Sequence, residues 1–174
     1  MKTQGPDIIT IKGAPGTGKT RTSKCLASLF PSGVRLEVDT LRSMVVSVNW
    51  TDQEEHLQIL ALSAKLTHGF LQLGYRPVIV VDTFSGDKLN RYLDDIRNLD
   101  VSLTVRSFAL ITDGDELTKR LQGRSQDEFK DIEISLKLNS HVVKHLHSGE
   151  EVIDTTHYTP TETAQKIYYR IKNP

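Results

Sequence analysis

Apolar residues along this chain follow two alternating patterns. Short β-branched runs bounded by glycine, proline or acidic residues give way to longer segments whose apolar positions recur every three or four residues. The run Ile8-Ile9-Thr10-Ile11 lacks an apolar–polar alternation. The strand it predicts over residues 8–12 therefore suits the centre of a parallel sheet covered on both faces. Cys25, Leu26, Leu29 and Phe30 predict a helix from Lys19 to Phe30, stopped by Pro31-Ser32-Gly33. Residues 34–38 predict a second strand that delivers Asp39 at its carboxyl end, and a helical stretch follows from Thr40 to Val48. Thr51-Asp52-Gln53-Glu54 resembles a capping box with Thr51 as N-cap, opening a helix that runs to Leu73 and ends at Gly74.

Val78-Ile79-Val80-Val81 is the most strand-like segment and ends in Asp82-Thr83-Phe84. A helix is predicted from Asp87 to Asn98, a strand over 101–110, and a helix after Asp113-Gly114-Asp115-Glu116 with Leu117 and Leu121 inward. The polar stretch 122–127 interrupts the pattern before a helix from Asp127 to Leu146. Residues 152–154 predict a last strand. Thr159-Pro160-Thr161-Glu162 caps a closing helix with Ala164, Ile167, Tyr168 and Ile171 on one side. Five strands alternating with helices imply an α/β fold, a parallel sheet wound on both faces by right-handed crossovers. Ligands of such sheets bind beyond the carboxyl ends of the strands. Residues 13–20, Asp39, Asp82 and the segment after Leu110 all fall at that edge.

Composition narrows the reading. A chain of 174 residues suits one domain spanning 1–174. Lys plus Arg (22) balances Asp plus Glu (22), so no global field favours a nucleic acid or membrane partner, although a local basic groove stays open. The single cysteine, Cys25, excludes an intrachain disulfide and is expected as a small buried side chain. Met1-Lys2-Thr3-Gln4-Gly5-Pro6 lacks the apolar core of a signal peptide, and no apolar run reaches membrane-spanning length. A cytoplasmic protein is expected.

The strongest local signal is Gly13-Ala14-Pro15-Gly16-Thr17-Gly18-Lys19-Thr20, which fits Gly, four residues, then Gly-Lys-Thr, directly after a predicted strand. Glycines let successive backbone N–H groups turn inward around phosphate oxygens. Lys19 would reach the β- and γ-phosphates of ATP, and the Thr20 hydroxyl would sit on Mg²⁺. Asp39, at the neighbouring strand end, can accept the proton of an attacking hydroxyl, with Arg42 on the same face of the next turn to hold an acceptor. A bare helix cap is the alternative for Asp39. Asp82 has the form of a carboxylate meeting Mg²⁺ or its waters, or again of a cap, and Thr83 would touch the acceptor. Arg120 and Arg124, four apart, are read as arginines of a lid at 113–130 closing on the nucleotide, against the alternative of a solvated basic face. His141 and His145 are also four apart, but no carboxylate or cysteine completes a ligand set, and a helix surface is expected.

The chain resembles the small P-loop kinases that phosphorylate a hydroxyl on a metabolite, nucleotide or nucleic acid end. This group includes gluconate kinase, adenylylsulfate kinase, chloramphenicol phosphotransferase, zeta toxins and the polynucleotide 5′-kinase domain. Besides residues 13–20, Asp39-Thr40-Leu41-Arg42 resembles their Asp-x-x-Arg acceptor motif, and Arg120 with Arg124 resemble their lid arginines. Residues 153–156 and 159–164 are similar to their tail, whose loop borders the adenine. The resemblance implies a three-layer P-loop NTPase fold with a five-stranded parallel sheet and a small helical lid. It also implies phosphotransfer from ATP with Mg²⁺ to a hydroxyl acceptor. A nucleic acid 5′ end is a conceivable acceptor that the zero net charge does not favour. The alternative is a nucleotide-binding switch or regulatory ATPase acting through a protein partner, although no Asn-Lys-x-Asp guanine-reading motif is present.

Overall fold

The computed structural model describes residues 5–173, so Met1 to Gln4 and what the sequence predicts of them lie outside the described residues. Its elements are β1 (Ile8–Gly13), α1 (Lys19–Ala27), β2 (Val34–Glu37), α2 (Val38–Ser43), α3 (Gln53–Gln72) and β3 (Val78–Val81). These are followed by α4 (Lys88–Leu99), β4 (Val105–Ile111), α5 (Gly114–Gln122), α6 (Ile132–Lys144), β5 (Glu150–Asp154) and α7 (Pro160–Lys172). The five strands form one parallel sheet in the order β2-β3-β1-β4-β5. Consecutive residues of its central strands enter opposite cores. Ile8, Val78 and Val80 pack with Leu60 and Ala64 of α3 and Leu93 and Ile96 of α4. Ile9, Ile11, Ile79 and Val81 pack with Leu26 of α1 and Ile167 of α7. Because both faces are covered, β1 and β3 need no polar alternation, which is the pattern that marks them in the sequence.

Several boundaries differ from the sequence reading. Helix α1 stops at Ala27 rather than Phe30, because Leu29 and Phe30 turn back onto Leu26 O and Ala27 O. Strand β2 stops at Glu37 and Val38 already belongs to α2, so Asp39 stands in the first turn of a helix and not on a strand tip. That helix is short: Arg42 donates to Asn49 O (3.1 Å) and draws the following residues into a loop. The N-cap of α3 is Asp52, whose carboxylate accepts from Glu54 N (2.9 Å) and Glu55 N (3.1 Å), while the Thr51 hydroxyl is taken by Asn49 (2.8 Å).

Strand β4 begins at Val105, not 101. Asp100 holds a turn through Ser102 N (2.9 Å), and Asp7 ties Thr104 N (2.8 Å). Helix α6 begins at Ile132, where Asp131 caps Ile134 N (2.9 Å), and the preceding residues form a Ser125–Glu128 turn. The predicted capping box of α7 is present, with Thr159 and Glu162 exchanging hydrogen bonds. Cys25 is half-buried beside Thr161 (3.7 Å) rather than inside the core. Among the described residues no helix is long and apolar enough to cross a membrane.

Candidate active site

The glycine-rich loop hangs from the central strand. Gly13 sits opposite Leu110 in the register with β4, and a Cβ at Gly13 would lie 2.8 Å from Leu110 O. Gly16 has φ +91°, and a Cβ there would meet Leu117 of α5 at 2.6 Å, so the glycine also lets α5 approach the loop. Gly18 caps α1 without a side-chain hydrogen bond, and the first turn of α1 carries no acid. The helix N-terminus therefore offers free N–H groups and partial positive charge to an anion. Thr17 Oγ1 (2.8 Å) and Lys19 Nζ (3.1 Å) both donate to Ala14 O. Pro15 completes the bend, half-buried. Burial pulls the Lys19 ammonium down to about 8, opposed by the charges of Asp82 and Asp39 and reinforced by Arg124. Thr20 Oγ1 donates to Glu37 at the end of β2.

Beside the loop opens a cleft of about 530 Å³, lined by Gly16 to Thr22, by Arg120 and Arg124, and by Thr155, Tyr158 and Pro160. Arg120 donates from Nε to Glu116 (2.8 Å) and from a terminal nitrogen to Thr155 O (2.7 Å). Thr155 Oγ1 in turn donates to Thr17 O (3.1 Å), so α5, the segment after β5 and the loop are laced together. Arg124 donates to Phe129 O (2.6 Å). Because α5 ends at Gln122, the two arginines do not share a helix as the spacing predicts, yet both line the cleft.

On the other side of Lys19, α2 presents Asp39, exposed to solvent. Partial desolvation and the charge of Asp82 push its carboxyl upward, with Lys19 pulling the other way. One turn on, Arg42 is 3% exposed. It faces His56 Nδ1 (3.4 Å) and lies under the Trp50 ring (4.8 Å to the centroid). Both Asp82 oxygens are 3.2 Å from His56 Nε2, and Oδ2 also accepts from Phe84 N (3.0 Å). Arg42 can only donate, so Nδ1 accepts and the ring proton sits on Nε2, facing the carboxylate. Burial works to raise the Asp82 carboxyl, but His56, the Phe84 N–H and the charge of Lys19 together outweigh it and hold the group below the ordinary carboxylate range. The turn is strained: Phe84, fully buried, has φ +47°. Thr83 is half-buried within it. Lys88, at the start of α4, donates to Gln53 Oε1 (2.8 Å) and Ser85 Oγ (3.0 Å).

The sequence reading missed His56, Lys88 and Glu37. None stands in a motif, and the His56–Asp82 pair spans 26 residues. Only the end of β3 beside the start of α3 brings them together. His141 and His145 are exposed at the end of α6, with ring centroids 5.4 Å apart. Among the described residues no group of three or more His, Cys, Asp or Glu side chains could hold a metal ion.

Solved structures support the architecture. The tunicamycin resistance protein of Deinococcus radiodurans is 22% identical, with a TM-score of 0.68 over 95% of each chain. A sugar kinase of Janibacter is 18% identical (TM-score 0.66, 95% of each chain). The APS kinase of Mycobacterium tuberculosis, solved with AMPPNP and APS, is 11% identical (TM-score 0.63, 95% of this chain and 96% of that one). These likenesses show a shared P-loop kinase-like α/β fold. A comparison with curated proteins returns no significant match. The AAA domain family matches residues 8–148, most of the chain, and the protein is therefore a member of that P-loop kinase-like family.

Proposed function

We propose that the protein is an ATP- and Mg²⁺-dependent phosphotransferase that moves the γ-phosphate of ATP to a hydroxyl acceptor. The observation that carries the reading is the convergence of Lys19, Asp39 and Asp82 at one sheet edge, where both carboxylates act on the Lys19 ammonium and Asp82 and Lys19 both act on Asp39. Residues Gly13 to Thr20 would cradle the triphosphate with backbone N–H groups, and Lys19 would hold its terminal phosphates. For a magnesium ion the donor chemistry fits in part. The Thr20 hydroxyl and the neighbouring Glu37 are hard oxygen donors, whereas both Asp82 oxygens are engaged, so Asp82 would act through water. Bound there, the ion supplies charge neutralisation for the phosphates.

Asp39 would accept the acceptor's proton. Its upward displacement makes it a stronger base than a free aspartate, and its exposure leaves the carboxylate accessible to a substrate. Arg42 would orient the acceptor, while Arg120 and Arg124, on a lid at 113–130, would face the transferring group. Transfer from γ-labelled ATP, screened over sugars, nucleosides, aminoglycosides and nucleic acids with a 5′-hydroxyl, tests the reading. Transfer must vanish in Lys19→Ala, and Asp39→Asn must bind ATP but turn over slowly. Turnover of Asp39→Asn at the parental rate would remove Asp39 from the mechanism.

A further inference from the structure

The phosphotransfer reading gives roles to Arg42 and Asp82 but none to His56, the side chain buried between them. His56 is 7% exposed, and Arg42 and Asp82 are each 3% exposed. Nε2 of His56 stands 3.2 Å from both Asp82 oxygens, and Nδ1 faces Arg42 Nη1 at 3.4 Å. Phe84 N fixes Asp82 in turn (3.0 Å), so the chain of contacts runs from the turn after β3, through α3, to α2. Arg42 has a counter-charge in Glu55 of α3, but at 3.8 Å that pair is beyond hydrogen-bond distance. Among the described residues Arg42 Nε and Glu55 Oε1 are both buried without a hydrogen-bond partner. Glu55 thus compensates the charge of Arg42, while its direction comes from His56, Asn49 O and the Trp50 ring.

A guanidinium and a carboxylate left facing each other in a buried layer close into a bidentate pair. His56 stands in the way of that pair. One ring nitrogen donates to Asp82 and the other accepts from Arg42, so each charge meets a hydrogen-bond partner while the two are held apart. Asp82 thereby stays under the charge of Lys19, and Arg42 stays near enough to act on Asp39. We propose that His56 is a positioning residue, which fixes where the Arg42 guanidinium stands by bridging it to Asp82 and keeping the two from pairing directly. Its effect on transfer rests on the phosphotransfer reading, whereas the placement of Arg42 is measurable without it.

Trp50, the chain's single tryptophan, lies against the Arg42 guanidinium and is half exposed, so its emission reports where that group stands. His56→Leu removes both ring nitrogens, whereas His56→Gln keeps a donor for Asp82 and an acceptor for Arg42. With each variant shown to be folded by circular dichroism, Trp50 emission is expected to shift in His56→Leu and to stay parental in His56→Gln. Adding His56→Leu to Arg42→Lys should give no further shift, because His56 acts through Arg42. His56→Asn, too short to span both neighbours, should repeat the shift and replaces His56→Leu if that variant does not fold. With an acceptor from the transfer screen, the KM for the acceptor should rise at least about tenfold in His56→Leu while the KM for ATP holds, and His56→Gln should restore the parental value. A parental Trp50 spectrum in the folded Leu or Asn variant, an undiminished shift on the Arg42→Lys background, an equal rise in both KM values, or failure of His56→Gln to restore either readout overturns the proposal. Transfer to no acceptor removes the kinase reading and leaves Trp50 emission to decide the placement of Arg42.

Discussion

The two sides of Lys19 are built by different means. The proposed nucleotide side is one contiguous stretch, Gly13 to Thr20, which offers backbone N–H donors and glycines at φ +91° and +92°. The proposed acceptor side draws one or two side chains from each of several elements: Asp39 and Arg42 from α2, Gln53 and His56 from α3, Asp82 after β3 and Lys88 from α4. Phosphate is the same in every nucleotide, so a backbone cradle suffices and leaves a local signature. An acceptor differs between enzymes, and side chains carried on separate helices can change without disturbing the loop. Rigidity also differs. Thr155, Arg120 and Thr17 tie the nucleotide side to α5 and to the segment after β5, whereas Asp39 and Trp50 stand exposed.

This contrast can be broken by experiment. The largest effect is expected for Lys19→Ala, which should lower transfer by about a thousandfold or more, because the charge facing the terminal phosphates is lost. Single-turnover transfer from γ-labelled ATP measures it, and a loss under tenfold would mean that the loop does not bind phosphate as described. Asp39→Asn should fall next, with kcat reduced roughly a hundredfold to a thousandfold while ATP affinity stays within about twofold. Calorimetric ATP binding beside kcat separates the two sides cleanly; a parallel loss of ATP affinity would erase the distinction.

His56→Ala is expected to destabilise the fold by about 1–3 kcal/mol, since it strips a buried carboxylate of its main donor. Urea unfolding reads this. The KM for the acceptor should rise while that for ATP holds; an equal rise in both would place His56 on neither side. The smallest effect is a pH dependence. In the free protein Lys19 loses its proton as pH rises through about 8. Bound phosphate favours the charged form, so ATP affinity should be full below that pH and weaken above it, by at most about tenfold per pH unit. The slope should be missing in Lys19→Ala, measured by titrating ATP affinity from pH 6 to 10.

How much of this is legible without coordinates depends on distance along the chain. The runs at Ile8–Ile11 and Val78–Val81 identify the central strands, because only burial on both faces tolerates unbroken β-branched residues. The loop motif and the Thr159–Glu162 cap are equally local. Boundaries governed by competing side chains were not legible. Thr51 reads as a cap until Asn49 takes its hydroxyl and Asp52 caps instead. Asp39 reads as a strand tip until Val38, buried in the core, starts a helix two residues before Thr40.

What the sequence by itself determined is the class of fold and the glycine-rich loop motif, since unbroken β-branched runs, a 3.6-residue period and a glycine spacing are properties of neighbours in the chain. Only the tertiary structure decided the cluster of side chains around Asp82. His56 reaches Asp82 across 26 residues, and Lys88 reaches Gln53 across 35. Such pairs leave no periodic trace, because they form only once parallel strands have aligned their carboxyl ends and the helices between them have packed.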